Sequence, residues 1–127
     1  MSAKVVHFEI PVDDRERASS FYASVFDWEM QHMPEMRYTI AGTVPVGDDQ
    51  LPTERGAING GLMERSTETP TPVITIGVDD IDISLKAVEA NGGSVITPKT
   101  PIPGMGAFAY FTDSEGNVMG LFEASWG

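Results

Sequence analysis

The chain has 127 residues and a formal charge of −11, from 19 acidic and 8 basic side chains. This charge argues against binding of nucleic acid or of an anionic membrane surface, because both repel a negatively charged protein. The absence of cysteine excludes disulfides, thiolate metal sites and a thiol nucleophile. No apolar stretch approaches the roughly 20 residues of a membrane helix, and we recognise no secretory signal, so we expect one cytoplasmic domain.

The first predicted element is a strand over residues 5–12, in which polar and apolar side chains alternate. Phe8 and Ile10 fall on one face of this strand. His7 and Glu9 fall on the other.

The aspartate pair after this strand predicts the start of a helix. Asp13 is a suitable N-cap, and Glu16 three residues later completes a capping-box-like pattern. One apolar face is expected to lie back on the sheet. That face holds Ala18, Phe21, Tyr22, Val25 and Phe26.

Three further strands complete the first half of the chain. We predict them over residues 28–33, 37–43 and 57–64, the second from its β-branched and aromatic content. Residues 45–57 mix proline, glycine and acidic side chains and are predicted to form an exposed loop. Residues 66–72, STETPTP, show no periodicity and are interpreted as a linker.

The second half repeats this design. Residues 73–93 again read as a strand, an aspartate pair and an amphipathic helix, which ends at a glycine pair suited to a left-handed C-cap. A short strand over 94–97 and a loop over 99–106 follow. The last two strands are predicted over 107–112 and 118–123, joined by a tight turn.

A shorter echo supports the repeat, since GLME at residues 61–64 matches GLFE at residues 120–123. We therefore predict two copies of one βαβββ unit and an α+β fold. In a single domain, module one spans 1–65 and module two spans 73–127.

Four stretches make the chain resemble the vicinal oxygen chelate superfamily: HFEIPVDD and FYASVFDWE in the first copy, and VEANGG and DSEGNVMGLFE in the second. This superfamily includes glyoxalase I, extradiol dioxygenases and bleomycin-resistance proteins. The resemblance covers nearly the whole chain and implies a glyoxalase-like fold, with curved mixed sheets around a cleft. It does not specify an activity, because the superfamily hosts isomerases, dioxygenases, thiol transferases and metal-free drug binders.

In the metalloenzymes of this superfamily, the first and last strand of each module supply four metal ligands. The resemblance places these positions at His7, Gly61, Val73 and Gly120. Only His7 is able to bind a metal, whereas a catalytic site normally needs at least three protein ligands. We therefore expect no cofactor, with a divalent metal as the minority alternative.

Glu64 and Glu123 offer a different ligand set together with His7. Each lies three residues after a glycine at a ligand position, so on a regular strand it faces the opposite way. A bulge beside the glycines would reverse that direction. Strand alternation thus argues against this alternative metal site.

His7 and Glu9 are the candidate catalytic residues, as an acid–base pair in the cleft. The competing interpretation is a histidine that is simply hydrogen-bonded within a sheet. His32 lies near a strand end beside a proline and is expected at the surface.

The predicted pocket joins polar groups to an aromatic wall, as is typical of small-molecule sites. The helices are expected to cover one face of each first strand, through Phe8, Ile10, Ile74 and Ile76. Val73 and Thr75 then face the cleft, because side chains alternate along a strand. The loops 45–57 and 99–106 are the expected lids. The predicted ligand-binding residues are Tyr38, Asn59, Gly61, Thr75, Phe108, Tyr110, Gly120 and Phe122.

The strand glycines Gly60, Gly61 and Gly120 are expected to leave room for a ligand or for close packing of the modules. Either Phe108 or Tyr110 is expected to supply the aromatic wall together with Tyr38, and strand parity does not distinguish the two. A highly anionic ligand is not expected, given the charge of the chain.

Three functions remain open. The first is a protein that holds a small organic molecule without the full metal site of the family. The second is a metal-dependent lyase or isomerase of the lactoylglutathione lyase type, and the third is a non-enzymatic protein that sequesters a drug or metabolite. We expect a twofold homodimer, because members of the superfamily often dimerise and sheet edges need cover.

Overall fold

A computed structural model describes residues 2–125, which form two compact units. We call residues 7–72 module one, and residues 73–125 together with residues 2–6 module two. The predicted linker, 66–72, thus groups with module one. The start of the first strand groups with module two.

Module one has the predicted order strand, helix and three strands. Its sheet has the order β2-β3-β4-β1, with β4 parallel to β1 and the other neighbours antiparallel. Its elements are β1 (Lys4–Val12), α1 (Arg15–Phe26), β2 (Glu29–Met33), a 3-10 turn (Pro34–Met36), β3 (Tyr38–Gly42) and β4 (Gly60–Glu64).

Module two repeats the same topology. Its sheet has the order β5-β8-β7-β6, with β5 parallel to β8. The α+β class and the two βαβββ repeats are therefore confirmed. Its elements are β5 (Val73–Gly77), α2 (Ile81–Ala90), β6 (Ser94–Ile102), β7 (Gly106–Thr112) and β8 (Val118–Ala124).

The helix caps differ from the prediction by one residue. Asp14, not Asp13, caps α1, and its Oδ1 accepts a hydrogen bond of 3.0 Å from the Arg17 amide. Asp13 instead forms an ion pair of 3.0 Å with Arg65. The internal repeat extends to the helix caps, because Asp80 caps α2 in the same way.

Strand β6 is longer than predicted, and this corrects one of the two predicted lids. Thr100, Pro101 and Ile102 pair with β7, so the loop between these strands is only residues 103–105. Proline is tolerated here because β6 lies at the end of the strand order in this module, where one side needs no ladder hydrogen bonds. The register shifts along β6 also accommodate irregular backbone.

The core of module two lies between α2 and its sheet. Ile81 and Leu85 of α2 pack on a cluster of small and large apolar side chains that Ile76 joins. Ile74 was expected under this helix but is 48% exposed, and α2 packs mainly over β6, β7 and β8. The strand residues of the cluster are Ala107, Ala109, Phe111 and Leu121.

Helix α1 packs on β2, β3 and β4, but the sheet covers only part of the predicted apolar face. Ser19 is the buried residue of this helix. The exposed fractions are 55% for Phe21, 56% for Val25 and 56% for Phe26. The helix is thus rotated so that part of its apolar face lies outside the sheet contact.

The helices α1 and α2 have 12 and 10 residues. Across residues 2–125, no helix has the length and apolar character that a membrane crossing requires.

Candidate functional site

The strand registers bring four predicted site residues of module one to one sheet face. Glu9 pairs with Gly61 on β4, and Tyr38 pairs with Met63 of the same strand. Paired residues share a face, and alternate residues along a strand do also, so His7, Glu9, Gly61 and Tyr38 lie together. The opposite face carries the buried Leu62 and packs against α1.

A hydrogen-bonded triad connects three of these side chains. The Tyr38 hydroxyl donates to Glu9 Oε2 at 2.9 Å and lies 2.8 Å from His7 Nε2. The rings of His7 and Tyr38 are nearly parallel, with centroids 6.5 Å apart. All three side chains are half-buried.

The triad determines which nitrogen of a neutral His7 carries the proton. A tyrosine hydroxyl has one proton, and Tyr38 gives it to Glu9, so the Tyr38 oxygen accepts the Nε2–H of His7. Nδ1 is then an unprotonated acceptor. Within residues 2–125, Nδ1 has no hydrogen-bond partner. It is also not fully buried, since Ser19 Oγ is the fully buried side-chain atom without a partner in this range.

The surroundings of His7 favour its neutral form. Burial lowers the pKa of the His7 imidazole below its ordinary value of 6.5, and the Glu9 carboxylate opposes this shift only in part. A neutral imidazole with a free Nδ1 lone pair is the form that accepts a proton.

The space above Gly61 is filled by the protein itself. A Cβ at this position would overlap the hydroxyl and ring of Tyr38. At Gly60, on the other face of β4, a Cβ would overlap the ring of Phe8. The space beside the glycines of β4 is thus occupied by side chains of module one. The sequence had predicted that this space would serve a ligand or close packing of the modules.

Asn59, a predicted ligand contact, makes hydrogen bonds within module one. Its Oδ1 accepts from the backbone amides of Thr43 at 2.7 Å and Val44 at 3.0 Å, and its Nδ2 donates to the Val44 carbonyl at 3.1 Å. These bonds hold the chain where it leaves β3. The amide is used within module one because the backbone groups beyond the end of that strand need partners.

Module two assembles the other predicted residues on one face of its own sheet. Gly120 lies between Thr75 of β5 and Tyr110 of β7 in the strand register, and Phe108 pairs with Phe122. Alternation places all five opposite the α2 core. Both aromatic candidates of β7 lie on this face, with the ring centroids of Phe108 and Tyr110 5.6 Å apart.

The residues present do not fit the metal site of the superfamily. Glu64 forms a two-pronged ion pair with Arg37, with both N–O distances 2.8 Å. Glu123 accepts from the Ile81 amide at 2.9 Å and pairs with Lys99 at 3.1 Å. Both carboxylates thus lie away from the ligand positions, as alternation predicted.

His7 directs Nε2 to Tyr38, and Gly61, Val73 and Gly120 have no ligating atom in their side chains. Over the described part of the chain, no three acidic or histidine side chains form a group able to hold a metal ion. His32 is exposed, as predicted, and its Nδ1 lies 2.9 Å from Thr39 Oγ1.

The polar role of Tyr38 is what the sequence reasoning missed. Tyr38 was predicted only as part of an aromatic wall, whereas its hydroxyl joins the two candidate catalytic residues. The available signal was a glycine on the neighbouring strand, which makes room for a large side chain.

Known proteins resemble this chain over most of its length. A family profile described as "Bleomycin resistance protein-like N-terminal" matches residues 4–43. A "Glyoxylase-like domain-containing protein" of Didymella fabae is 31% identical over 123 residues, covering 93% of this chain and 91% of that protein. A "Lactoylglutathione lyase" of Haemophilus influenzae is 28% identical, with 94% and 92% covered.

Solved structures share the fold. A hypothetical protein from Bacillus halodurans superposes with a TM-score of 0.67 at 21% identity, covering 100% of this chain and 98% of that one. A methylmalonyl-CoA epimerase of Streptomyces coelicolor superposes with a TM-score of 0.67 at 14% identity, with 98% and 99% covered. These two likenesses show the fold, and the relatives found by sequence show that the chain belongs to the glyoxalase-like family of the vicinal oxygen chelate superfamily.

Proposed function

We propose that this glyoxalase-like protein binds a small organic molecule at the module-one face around His7 and moves a proton of that molecule. The observation that carries the proposal is the Tyr38 hydroxyl, which lies within hydrogen-bond distance of both His7 Nε2 and Glu9 Oε2. A histidine with a purely structural role in a sheet does not require a hydrogen-bond partner that itself donates to a carboxylate. An oriented histidine with a second acceptor free is the arrangement expected of a general base.

In the proposed step, Nδ1 of neutral His7 accepts a proton from the bound molecule, whose C–H or O–H bond breaks. The electron pair stays on the molecule, and His7 becomes an imidazolium. Tyr38 keeps the Nε2–H in place, and the Glu9 carboxylate behind it stabilises the new positive charge. Return of the proton from Nδ1 to a different atom, or to the other face of the same atom, completes an isomerisation and restores neutral His7.

The chemistry of the site defines the class of ligand. Proton removal by a histidine requires an acidified proton, such as one on a carbon beside a carbonyl group. The charge of −11 disfavours a highly anionic ligand. The predicted ligand contacts on module two remain predictions, and aromatic side chains such as theirs are typical of small-molecule sites. They are Thr75, Phe108, Tyr110, Gly120 and Phe122.

A second candidate function is sequestration without turnover. It is favoured by the match to a bleomycin-resistance-like profile, which spans His7, Glu9 and Tyr38. In that case the triad would bind a donor group of the ligand and the proton would stay where it is. We derive no metal-dependent lyase mechanism, because the side chains at the metal-ligand positions do not fit one.

The test is a thermal-shift screen of uncharged carbonyl metabolites against the wild-type protein, His7→Gln and His32→Gln. We expect compounds that stabilise the wild-type protein and His32→Gln but not His7→Gln. Each such compound is then incubated in D2O with the protein and followed by proton NMR. Exchange of a carbon-bound proton supports catalysis, whereas binding without exchange supports sequestration.

Two results would contradict the proposal. One is a compound that binds the His7→Gln variant as tightly as the wild type. The other is a stoichiometric metal in the purified protein, shown by elemental analysis, that is lost in His7→Gln.

A further inference from the structure

Strand β2 is the outer strand of the module-one sheet. It pairs with β3 on one side, and within residues 2–125 no strand pairs with its other side. In an antiparallel pair, alternate residues direct their N–H and C=O groups away from the neighbouring strand. The outer side of β2 therefore presents backbone donors and acceptors that another strand is able to pair with.

The outer strand of module two, β6, is irregular where β2 is regular. It contains Pro98 and Pro101, and its register with β7 shifts twice. Strand β2 contains no proline, and its five residues, Glu29–Met33, pair with β3 in one unbroken register. Prolines and bulges are features that prevent an outer strand from pairing further. Of these two outer strands, β2 is the one that lacks such protection.

Exposed apolar surface lies next to the start of β2, on the side where α1 packs. Phe26 of α1 is 56% exposed, and its ring centroid lies 6.0 Å from that of Trp28, the residue before β2. Met33 pairs with Tyr38 on the opposite face, so alternation turns Met30 to the helix side, where it is half-buried. This surface favours apolar side chains on the helix side of an added strand.

The charges along β2 are acidic at both ends. Asp27 and Glu29 lie at the start of the strand and Glu35 follows its end, and all three are exposed. Within residues 2–125, none of the three belongs to an ion pair. Arg37, the nearest basic residue along the chain, is already held by Glu64 through two N–O distances of 2.8 Å. Both ends of the strand therefore attract basic groups.

Helix α1 does not reverse this charge, because its first turn has no net charge of its own. Arg15 and Arg17 lie there beside Asp14 and Glu16, two charges of each sign. The acidic ends of β2 also disfavour a second copy of the chain at this edge. Two β2 strands would bring like charges together whether they paired parallel or antiparallel.

We propose that the outer side of β2 binds an extended segment of another protein, in which apolar and basic residues alternate. The segment adds a strand antiparallel to β2, because antiparallel pairing is the more stable per residue. Its apolar side chains face the helix side, toward Phe26 and Met30. Its basic side chains face the other side, on which Glu29 lies. This surface is independent of the proton transfer proposed at His7.

Fluorescence anisotropy with a synthetic peptide of about six residues, in which valine and lysine alternate, tests the binding. We expect saturable binding to the wild type, and binding about tenfold or more weaker for Glu29→Lys and for Phe26→Ser. Glu89→Lys and Ile83→Ser are the matched controls, because both positions are exposed on α2, and both should bind like the wild type. The proposal fails if the wild type does not bind, or if either β2-edge variant binds as tightly as its control.

Two N-methylated forms of the peptide test the strand addition itself. The N–H groups of the valines and of the lysines point to opposite sides of the extended peptide, since the two residue types alternate. A methyl group on nitrogen removes the donor and blocks approach from that side. We expect one form to lose affinity by about tenfold or more and the other to keep it. Equal affinities of the two forms would mean attraction of charge without strand pairing, which overturns the proposal.

Hydrogen exchange followed by NMR locates the bound peptide without any substitution in the protein. We expect alternate amides of β2 to exchange about tenfold or more slowly with the peptide bound, and the amides of β6 to be unchanged. Slowed exchange in β6 and not in β2 would contradict the proposal. Light scattering identifies the other occupant, because a dimer that the peptide dissociates would assign this edge to a second copy.

Discussion

Tyr38 lies directly over Gly61, and no other residue type at position 61 leaves room for its ring. The two residues are on neighbouring strands, β3 and β4, and share one sheet face. This packing places the tyrosine hydroxyl between His7 and Glu9. A backbone feature of one strand thus supports the polar triad that we propose as the functional centre.

Replacing Gly61 with alanine should therefore displace Tyr38. We expect a loss of about 1–3 kcal/mol in the free energy of unfolding, as is usual when a packed site is overfilled. Gly42→Ala is the matched control, because a Cβ there meets only Glu29 at ordinary contact distance, 3.4 Å and beyond. Urea denaturation of both variants measures the difference, and equal stabilities would show that Tyr38 does not need the glycine.

Removing only the hydroxyl isolates the hydrogen bonds of the triad. Tyr38→Phe leaves His7 Nε2 and Glu9 Oε2 without the partner they share, and should cost about 1–3 kcal/mol. Tyr22→Phe is the control, because within residues 2–125 the Tyr22 hydroxyl makes no hydrogen bond. Chemical denaturation at neutral pH gives both values. A Tyr38→Phe change as mild as Tyr22→Phe would mean that the triad contributes nothing.

The lowered pKa of His7 predicts a pH dependence of stability. At pH values above 6.5, His7 is neutral in both the folded and the unfolded chain and contributes no difference. As the pH falls below that value, the unfolded chain takes up the proton first. Stability should then fall by about 1.4 kcal/mol per pH unit until the lower pKa of the folded state is reached.

The measurement is the urea midpoint between about pH 5.5 and 7.5, above the range in which the carboxylates lose their stabilising charge. Burial is the dominant cause of the shift, so His7→Gln should remove this part of the pH dependence while His32→Gln retains it. The lowered pKa values of Asp113 and Glu123 act only at more acidic pH, as these groups become protonated. An identical pH profile for His7→Gln and wild type would refute the assignment to His7.

Ser19 offers a test of how α1 packs. Its Oγ is fully buried without a hydrogen-bond partner in the described structure. Ser19→Ala removes that unsatisfied group and should stabilise the protein by about 1 kcal/mol or more. Ser20→Ala, at an exposed position of the same helix, should gain only about 0.5 kcal/mol from helix propensity. Equal gains in melting experiments would mean that Ser19 is not buried.

Strand alternation and the internal repeat were sufficient to predict the module topology and the faces of the site residues. Glu64 and Glu123 lie opposite the ligand positions because side chains on a regular strand alternate, and that rule is local. The rotation of α1 was not predictable in this way. Which side of an amphipathic helix meets the sheet depends on tertiary packing, and here Ser19 is buried while Phe21 is not.

The length of β6 was missed for a related reason. Two prolines and two glycines indicated a loop over residues 99–106, but an edge strand tolerates a proline such as Pro101 on the side that forms no ladder. The role of Tyr38 was missed because its side chain on β3 contacts residues of β1 across Gly61 of the intervening strand β4. The pattern of residues within one strand gives no information about such a contact.

The central claim is that Tyr38 and Glu9 hold neutral His7 with its proton on Nε2, which leaves Nδ1 as the base. Long-range proton–nitrogen NMR of the histidine rings measures this directly and needs no ligand. At neutral pH, we expect His7 to show a protonated Nε2 and an unprotonated Nδ1, and Tyr38→Phe to weaken this preference. A protonated Nδ1 in the wild-type protein, as the other tautomer or as an imidazolium, would contradict the account.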